Sequence, residues 1–394
     1  MAVFNSLRRR ASGEGLPVYL VGGPVRDAAL NVSAKDLDFV LIGDAPALAA
    51  DLAEELGGQV TVHPRFGTAT VEIEGDQVDV VTARKETYPS PGSLPEVSAS
   101  TLEDDLARRD FSINAMALPL SGDDPEVIDP HGGLDALAGK SVATLHSRSF
   151  ADDPTRMLRA VRYEQRLGFQ ITGDTLSQMQ QAIKDGHVGP VSGDRWRQEF
   201  QKIFEESRAA EMLLRAIELS VLAAIHPALT DGRRLTSLAG KSGLRPTDYL
   251  AALAVSLSPA NGDGFARRLN LPTDWARVVR DTIGLREKES AISGTPVRPS
   301  DVCNALAGLD ADAIAASARF SDDPQVAANL RRYLDEWRLV SPDLTGDDLL
   351  AMGVPPGPTV GEALRELTSA KLDGLVSDEE GERALVNQII SRGS

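Results

Sequence analysis

The spacing of apolar residues changes once along this chain, and that change limits the folds open to it. Up to about residue 83 the apolar positions alternate or form short runs, punctuated by Gly, Pro and Asp. PVYLV (17–21) and DLDFVLI (36–42) read as strands, as do QVTVHP, GTATVEI and QVDVVTA within 59–83. RDAALN starts a helix, and APALAADLAEEL (45–56) is an amphipathic one. From about residue 149 strand signals disappear. TRMLRAVRYEQRLGF, DTLSQMQQAIKDG, DRWRQEFQKIFEES and RAAEMLLRAIELSVLAAI all carry the helical period. The expected fold class is therefore α+β: an N-terminal mixed-sheet head with helices on one side of the sheet, followed by an all-helical remainder. Residues 86–100, rich in Pro, Ser and Gly, read as a loop with little regular structure. A long loop inside a compact domain is often functional. Residues 342–367 read as a short helix, a Gly/Pro turn and a second helix.

With 394 residues, two to four domains are expected. An apolar share of 42% suffices for packed cores, and the 5% aromatic share makes those cores aliphatic. No apolar run approaches the roughly 18 residues of a membrane span, so no membrane partner is expected. The first fifteen residues carry charges without an apolar core, so a signal peptide is not expected. Cys303 is the only cysteine. One cysteine leaves no intrachain disulfide and no multi-cysteine metal site, and a cytoplasmic location is expected. The net charge of −17 argues against a nucleic-acid partner when taken alone. A local basic stripe still grips phosphates whatever the total.

The densest cluster is GGPVRD (22–27) followed by DLD (36–38). Side chains alternate along a strand, so Asp36 and Asp38 point the same way. Two carboxylates so placed repel unless a cation sits between them, and magnesium suits one or two carboxylates plus substrate phosphates. Two such ions serve phosphoryl or nucleotidyl transfer. A bare DxD is also common at solvated strand ends, so the pair needs its context. Gly22 and Gly23 lie between a strand and a helix opening with Pro24, where backbone approach is close and phosphate is attracted. Arg26 adds a positive charge. Asp79, in QVDVV, is placed on a neighbouring strand as a third carboxylate.

Two further clusters follow. Arg108, Arg109, Asp110 and Asn114 lie in LARRDFSINAMAL; either the arginines complement a helix C-terminus, or they grip phosphates while Asp110 and Asn114 order a sugar. Asp152, Asp153, Pro154, Thr155 and Arg156 open a helix. Asp152 and Asp153, four and three residues before Arg156, are expected to meet it on one face, where a carboxylate and a guanidinium side by side suit a nucleobase edge. Arg159, Tyr163 and Arg166 extend that face, with Arg162 beside it; taken singly these read as a solvated, ion-paired face. Arg195, Arg197 and Lys202 lie on another helix.

In these residues the sequence resembles the class II tRNA nucleotidyltransferase and bacterial poly(A) polymerase family of the DNA polymerase beta superfamily. The resemblance rests on GGPVRD, DLD, FGTA (66–69), ARKETY (83–88), RRDFSINAMA (108–117), DPHGGLDAL (129–137), DDPTRMLRAVRY (152–163), RLGF (166–169) and SGDRWRQEF (192–200), in family order. It implies a nucleotidyltransferase head at 1–142, a helical neck for base recognition at 143–206, a body at 207–310 and a tRNA-binding tail at 311–394. It implies untemplated addition of CMP and AMP, from CTP and ATP with two Mg2+, to the 3′ end of the tRNA acceptor arm. The implied catalytic residues are Asp36, Asp38 and Asp79, with metal on Asp36 and Asp38. The implied nucleotide-binding residues are Gly22, Gly23, Arg26, Arg109, Asp110, Asn114, Asp152, Asp153, Arg156, Arg159 and Arg162. Asp153 and Arg156 would read the base edge and Asp152 would orient Arg156. Family members usually carry Glu where Asp152 and Asp194 stand.

Presence of the 83–100 segment argues against a CC-only enzyme, whose members lack a flexible loop here. An A-only enzyme working with a separate CC-adding partner stays open. A poly(A) polymerase is disfavoured because GERALVNQIISRGS is not strongly basic, and a non-catalytic RNA-binding role because Asp36 and Asp38 are intact. No HD dipeptide occurs, so phosphohydrolase activity is not expected.

Overall fold

The computed structural model describes residues 2–33, 37–63, 67–73, 76–293 and 297–393. They form two compact units, 1–200 with 218–225, and 201–217 with 226–394.

In chain order the first unit contains α1 (Ala2–Gly13), β1 (Val18–Val21), α2 (Gly23–Ala29), β2 (Leu37–Leu41), α3 (Ala45–Leu56), β3 (Gln59–His63), β4 (Thr68–Ile73) and β5 (Asp76–Thr82). It continues with β6 (Arg84–Thr87), β7 (Glu96–Ala99), α4 (Leu102–Ala107), β8 (Ala117–Pro119), α5 (Gly133–Ala138) and β9 (Ser141–Val142). Then come α6 (Ser149–Asp152), α7 (Arg156–Leu167), β10 (Gln170–Ile171), α8 (Gly173–Lys184) and α9, which begins at Gly193. Six strands make one mixed sheet in the order β3-β4-β5-β2-β1-β8. Only β2 and β5 run parallel within it, and the chain between them passes through α3, β3 and β4.

Local chemistry explains the boundaries. Asp44 caps α3 by accepting from Ala47 N–H, with a proline in the first turn. Gly57 ends that helix at φ 67, a left-handed conformation that glycine adopts at low cost. Both faces of the sheet are covered, which corrects the one-sided expectation. The Phe39 ring meets Phe4 of α1 at 6.2 Å. Its neighbour Val40 points the other way and packs with Val21, Ala83, Ala117 and Leu106 of α4. The two apolar contacts of α4, Leu102 and Leu106, sit in a charged stretch too short for its period to register.

The segment read as an irregular loop contains a hairpin. β6 and β7 pair antiparallel, Arg84 opposite Ala99 through Thr87 opposite Glu96. Pro89, Pro91 and Pro95 all fall in the connection, where no ladder hydrogen bond is required. A second correction is β10, which pairs parallel with β9 beyond the point where strand signals ended. Two residues per strand show no alternation.

The second unit is helical among its described residues. Leu285, Ile292, Val302, Ile314, Leu330 and Trp337 form one core, with Cys303 half-buried against it. Leu344, Leu349, Val354, Leu367 and Val386 form another. Its helices Gly346–Ala351 and Pro358–Leu372 are the helix-turn-helix expected for 342–367. No helix among the described residues is long and apolar enough to cross a membrane.

Candidate active site

β2 and β5 bring Asp38 and Asp79 into register as direct neighbours. Asp38 lies two residues before Val40 and Asp79 two before Val81, so both carboxylates share the face that carries α4. Asp79 is exposed and accepts from Thr70 Oγ1 at 2.6 Å. Asp36 lies outside the described residues. Among the described residues no three His, Cys, Asp or Glu side chains group as a metal site.

The glycine turn faces Arg109. Gly22 adopts φ 73, and a Cβ built there would stand 2.6 Å from Arg109 Nη1. A side chain at 22 is thus excluded twice, by backbone conformation and by the guanidinium above it. Arg109 is held by Asp105 Oδ2 at 3.0 Å. Asp105 is fully buried and also accepts from Arg108 Nε and Nη2 at 2.9 and 2.8 Å. Arg108 reaches Glu86 as well, at 2.9 Å, and Glu86 accepts from Arg84 and from the Tyr88 hydroxyl. Burial, then the Glu86 charge, pushes the Tyr88 hydroxyl above its usual range. The sequence reading missed Asp105 and Glu86. Asp105 was detectable, three and four residues before the two arginines.

Behind the turn a buried chain of polar groups runs from α2 to α7. Arg26, only 5% exposed, donates to Asp27 Oδ1 and, through Nη1, to Asn114 Oδ1 at 2.7 Å. Asn114 Nδ2 donates to Asp110 Oδ1 at 3.0 Å. Arg159 donates twice to Asp110 Oδ2, at 2.8 and 2.5 Å. Burial alone would raise the Asp110 carboxyl, but the Arg159 charge and the Asn114 amide outweigh it and hold the group at about 2. Burial opposes the charge of Arg159 too, yet Asp110 keeps its pKa above the ordinary arginine value.

Helix α7 is only in part the solvated, ion-paired face expected of its arginines: Arg166 is exposed and Arg159 pairs with Asp110, but Arg162 is buried. Arg156 and Arg162 are buried, and Tyr163 sits among guanidinium groups. Arg26, Arg162, Arg159 and Arg166 place their Cζ atoms 5.2, 5.7, 5.9 and 5.9 Å from its ring centre. Glu199, also buried and missed from sequence, lies 3.6 Å from Arg162 and 4.0 Å from Arg159.

The expected meeting of Asp152, Asp153 and Arg156 on one helical face is replaced by another arrangement. Helix α6 ends at Asp152, Asp153 is extended, and α7 starts only at Arg156. Pro154 disfavours a helical residue before it, which explains the break. Asp152 pairs with Arg148 at 3.3 Å. Arg156 donates to Ser149 Oγ and to the Arg108 carbonyl, both at 2.8 Å. Asp153 pairs with Arg195 at 2.7 Å. Asp194 pairs with Arg197 one turn along α9. The site thus combines two in-register carboxylates, an arginine over a glycine turn, and an acid and an arginine each fixed by its own partners.

Residues 18–143 match the model of the poly A polymerase head domain, and 168–232 that of a probable RNA- and SrmB-binding site of polymerase A. An A-adding tRNA nucleotidyltransferase of Geobacter sulfurreducens is 32% identical over 93% of this chain, which spans 44% of that relative. A CC-adding tRNA nucleotidyltransferase of Deinococcus radiodurans is 31% identical over 97% of this chain and 91% of its own. Among solved structures, a CCA-adding enzyme in an apo form superposes with TM-score 0.85 at 29% identity, covering 99% of this chain and 95% of that one. The Thermotoga maritima CCA-adding enzyme complexed with tRNA superposes at 0.78 with 26% identity, covering 100% and 95%. The chain belongs to the tRNA nucleotidyltransferase and poly(A) polymerase family. It spans less than half the length of the Geobacter relative, and 24% of an Aquifex aeolicus relative that is also A-adding.

Proposed function

We propose that this protein transfers CMP and AMP from CTP and ATP to the 3′ end of tRNA, completing and repairing CCA in the cytoplasm. The observation that carries the reading is the in-register pair Asp38 and Asp79 on the sheet face bearing the helix that leads into Arg109. Related solved enzymes with bound ATP, CTP and tRNA support the choice of substrates.

The tRNA 3′-hydroxyl attacks the α-phosphate in line. The new P–O bond forms as the bond to the β-phosphate breaks, and pyrophosphate leaves. Neighbouring carboxylates present oxygen donors only, the chemistry that suits magnesium. Asp38 and Asp79, with Asp36, would hold it; when bound, it neutralises charge on the attacking and leaving oxygens. Arg109 takes the triphosphate over Gly22. Arg26, tied to Asp27 and Asn114, adds positive charge from beneath the turn. Asp110 and Asn114 order the ribose side, and Arg159 and Arg162 keep that side positive.

Asp153 and Arg156 read the base. The exocyclic amines of cytosine and adenine donate to a carboxylate, whereas uracil and guanine offer carbonyls at the equivalent edge. Ser149 and the Arg108 carbonyl fix Arg156, so Asp152 is not needed to orient it. In this reading 1–142 is the catalytic head, 143–206 the base-reading neck, 207–310 the body and 311–394 a tail that holds tRNA.

Addition of A alone, after a separate CC-adding enzyme, is the second reading. It is favoured by the A-adding names of the Geobacter and Aquifex relatives. One experiment separates the two: tRNA transcripts ending before CCA, after C and after CC are each offered CTP or ATP. CCA addition extends all three. A-only addition extends the last, with ATP alone. Failure to extend any of them would sink the proposal.

A further inference from the structure

The sequence of β4, TATVEI, alternates. Ala69, Val71 and Ile73 are buried, and Thr68, Thr70 and Glu72 take the opposite face. Register then sets three side chains in one row. Thr70 on β4 is the direct partner of Asp79 on β5, and Asp79 is the direct partner of Asp38 on β2. Direct partners share a face of the sheet. Asp79 therefore stands between a hydroxyl on one side and a carboxylate on the other. Thr70 Oγ1 donates to Asp79 Oδ1 at 2.6 Å. Among the described residues Thr70 is the one hydrogen-bond donor to this exposed carboxylate.

We propose that Thr70 is a positioning residue that holds Asp79 ready for the cation. This rests on the metal role given above to Asp79. Repulsion from Asp38 favours turning the Asp79 carboxylate away from the row and into solvent. The Thr70 hydroxyl opposes that turn, because a hydrogen bond to an ionised group is stronger than one between neutral groups. Threonine suits the task. Its branched Cβ favours a strand and restricts χ1, so the hydroxyl stays where the strand puts it. Thr70 occupies Oδ1, and Oδ2 keeps its lone pairs for a metal. A hydrogen bond behind a ligating carboxylate supports metal affinity on the scale of roughly 10- to 100-fold. A surface pair without this task would stabilise the sheet slightly and leave the cation unaffected.

The test compares wild type with Thr70→Val, which keeps the shape and loses the donor, and with Thr70→Ser, which keeps the donor. Asp79→Asn and the double variant T70V/D79N complete the set. Mn2+ binding is titrated by electron paramagnetic resonance without nucleotide, so that no triphosphate shares the ion. The Mg2+ dependence of tRNA extension is measured in parallel, and thermal melting identifies folded variants. Thr70→Val is expected to weaken Mn2+ binding by roughly 10- to 100-fold. The Mg2+ concentration for half-maximal extension should rise by a similar factor, with most of the rate restored at saturating Mg2+. Thr70→Ser is expected to bind close to wild type, and T70V/D79N to bind no worse than Asp79→Asn. Unchanged Mn2+ binding in Thr70→Val overturns the proposal. So does an equal loss in Thr70→Ser, or a Thr70→Val loss that persists in full beside Asp79→Asn. If Thr70→Val does not fold, Thr70→Ala takes its place. If wild type binds Mn2+ but extends no tRNA, the proposed function fails and Mn2+ binding still judges Thr70. If wild type extends tRNA without binding free Mn2+, the Mg2+ dependence judges it. If wild type neither binds Mn2+ nor needs Mg2+, the metal assignment and this proposal fall together.

Discussion

Asp38 and Asp79 stand beside each other on neighbouring strands, where two anions repel. Removing one relieves that repulsion and, on the proposed function, takes a ligand from the cation. Asp38→Ala is thus expected to fold at least as stably as wild type and to lose nucleotide incorporation by about 10³-fold or more, since a bound cation supplies several kcal/mol at the transition state. Filter binding should show tRNA affinity largely kept; retained turnover would remove the metal assignment. Asp110 makes a different prediction. Its carboxyl is held at about 2 by Arg159 and Asn114 despite burial, below the ordinary value near 3.8. A depressed pKa in the folded state stabilises above the unfolded value, and that contribution fades as pH falls from about 4 to about 2. It is worth about 2 kcal/mol at neutral pH. Urea unfolding followed from pH 7 down to 2.5 should show that loss in wild type and not in Asp110→Asn. The variant should be less stable at pH 7 by about 2 kcal/mol, because half-buried Arg159 loses its nearest anion and keeps only Glu199 at 4.0 Å. Gly22→Ala should be worse than a routine glycine change. It meets positive φ and the Arg109 guanidinium together, so the KM for nucleotide is expected to rise about tenfold or more.

At the scale of elements, the hairpin of β6 and β7 shows where local pattern carries information and where it does not. β1, β2, β4 and β5 were legible because each is four to seven residues of apolar or alternating sequence. The strands of the hairpin are RKET and EVSA, with Val97 their only large apolar side chain. They hold through Ser100 N–H on the Ala83 carbonyl and through Asp105, contacts no local window contains. The same limit governed the site. The local settings of Gly22, Asp38 and Arg109 were legible, since a turn, a strand and a helix end are local objects. The partners that hold the candidate residues were not: Arg159 finds Asp110 across 49 residues and Arg195 finds Asp153 across 42. Pro154 was visible, but the break it makes between α6 and α7, which sends Asp152 to Arg148, needed the fold. This scale has its own prediction. Replacing 88–95 by a short Gly-Ser turn keeps β6 and β7 paired but removes the seated tip. AMP addition to a tRNA ending in CC should then fall more than CMP addition to one lacking CCA. Equal losses in parallel kinetics would make the connection merely structural.

For the whole molecule the question is how a chain with net charge −17 would hold the polyanion proposed as its substrate. Total charge sets long-range repulsion, which salt screens within about 10 Å at 0.1 M. Contacts with phosphate depend on individual arginines and lysines, and each one displaces condensed counterions. These two effects respond to salt in opposite directions. Added salt weakens the repulsion that slows approach, and it also weakens the contacts that hold the complex. If the chain holds tRNA through roughly four to six phosphate contacts, counterion release dominates. Affinity should then fall by about 10²- to 10³-fold between 50 and 200 mM salt. Fluorescence anisotropy with labelled tRNA gives the slope directly. Asp38→Ala should share that slope, because in the proposed function its carboxylate acts on the reacting end and not on the phosphates of the tRNA body. A flat or rising affinity with salt would mean that RNA is held through its bases and sugars instead, and the assignment of residues 311–394 as a phosphate-gripping tail would have to be abandoned.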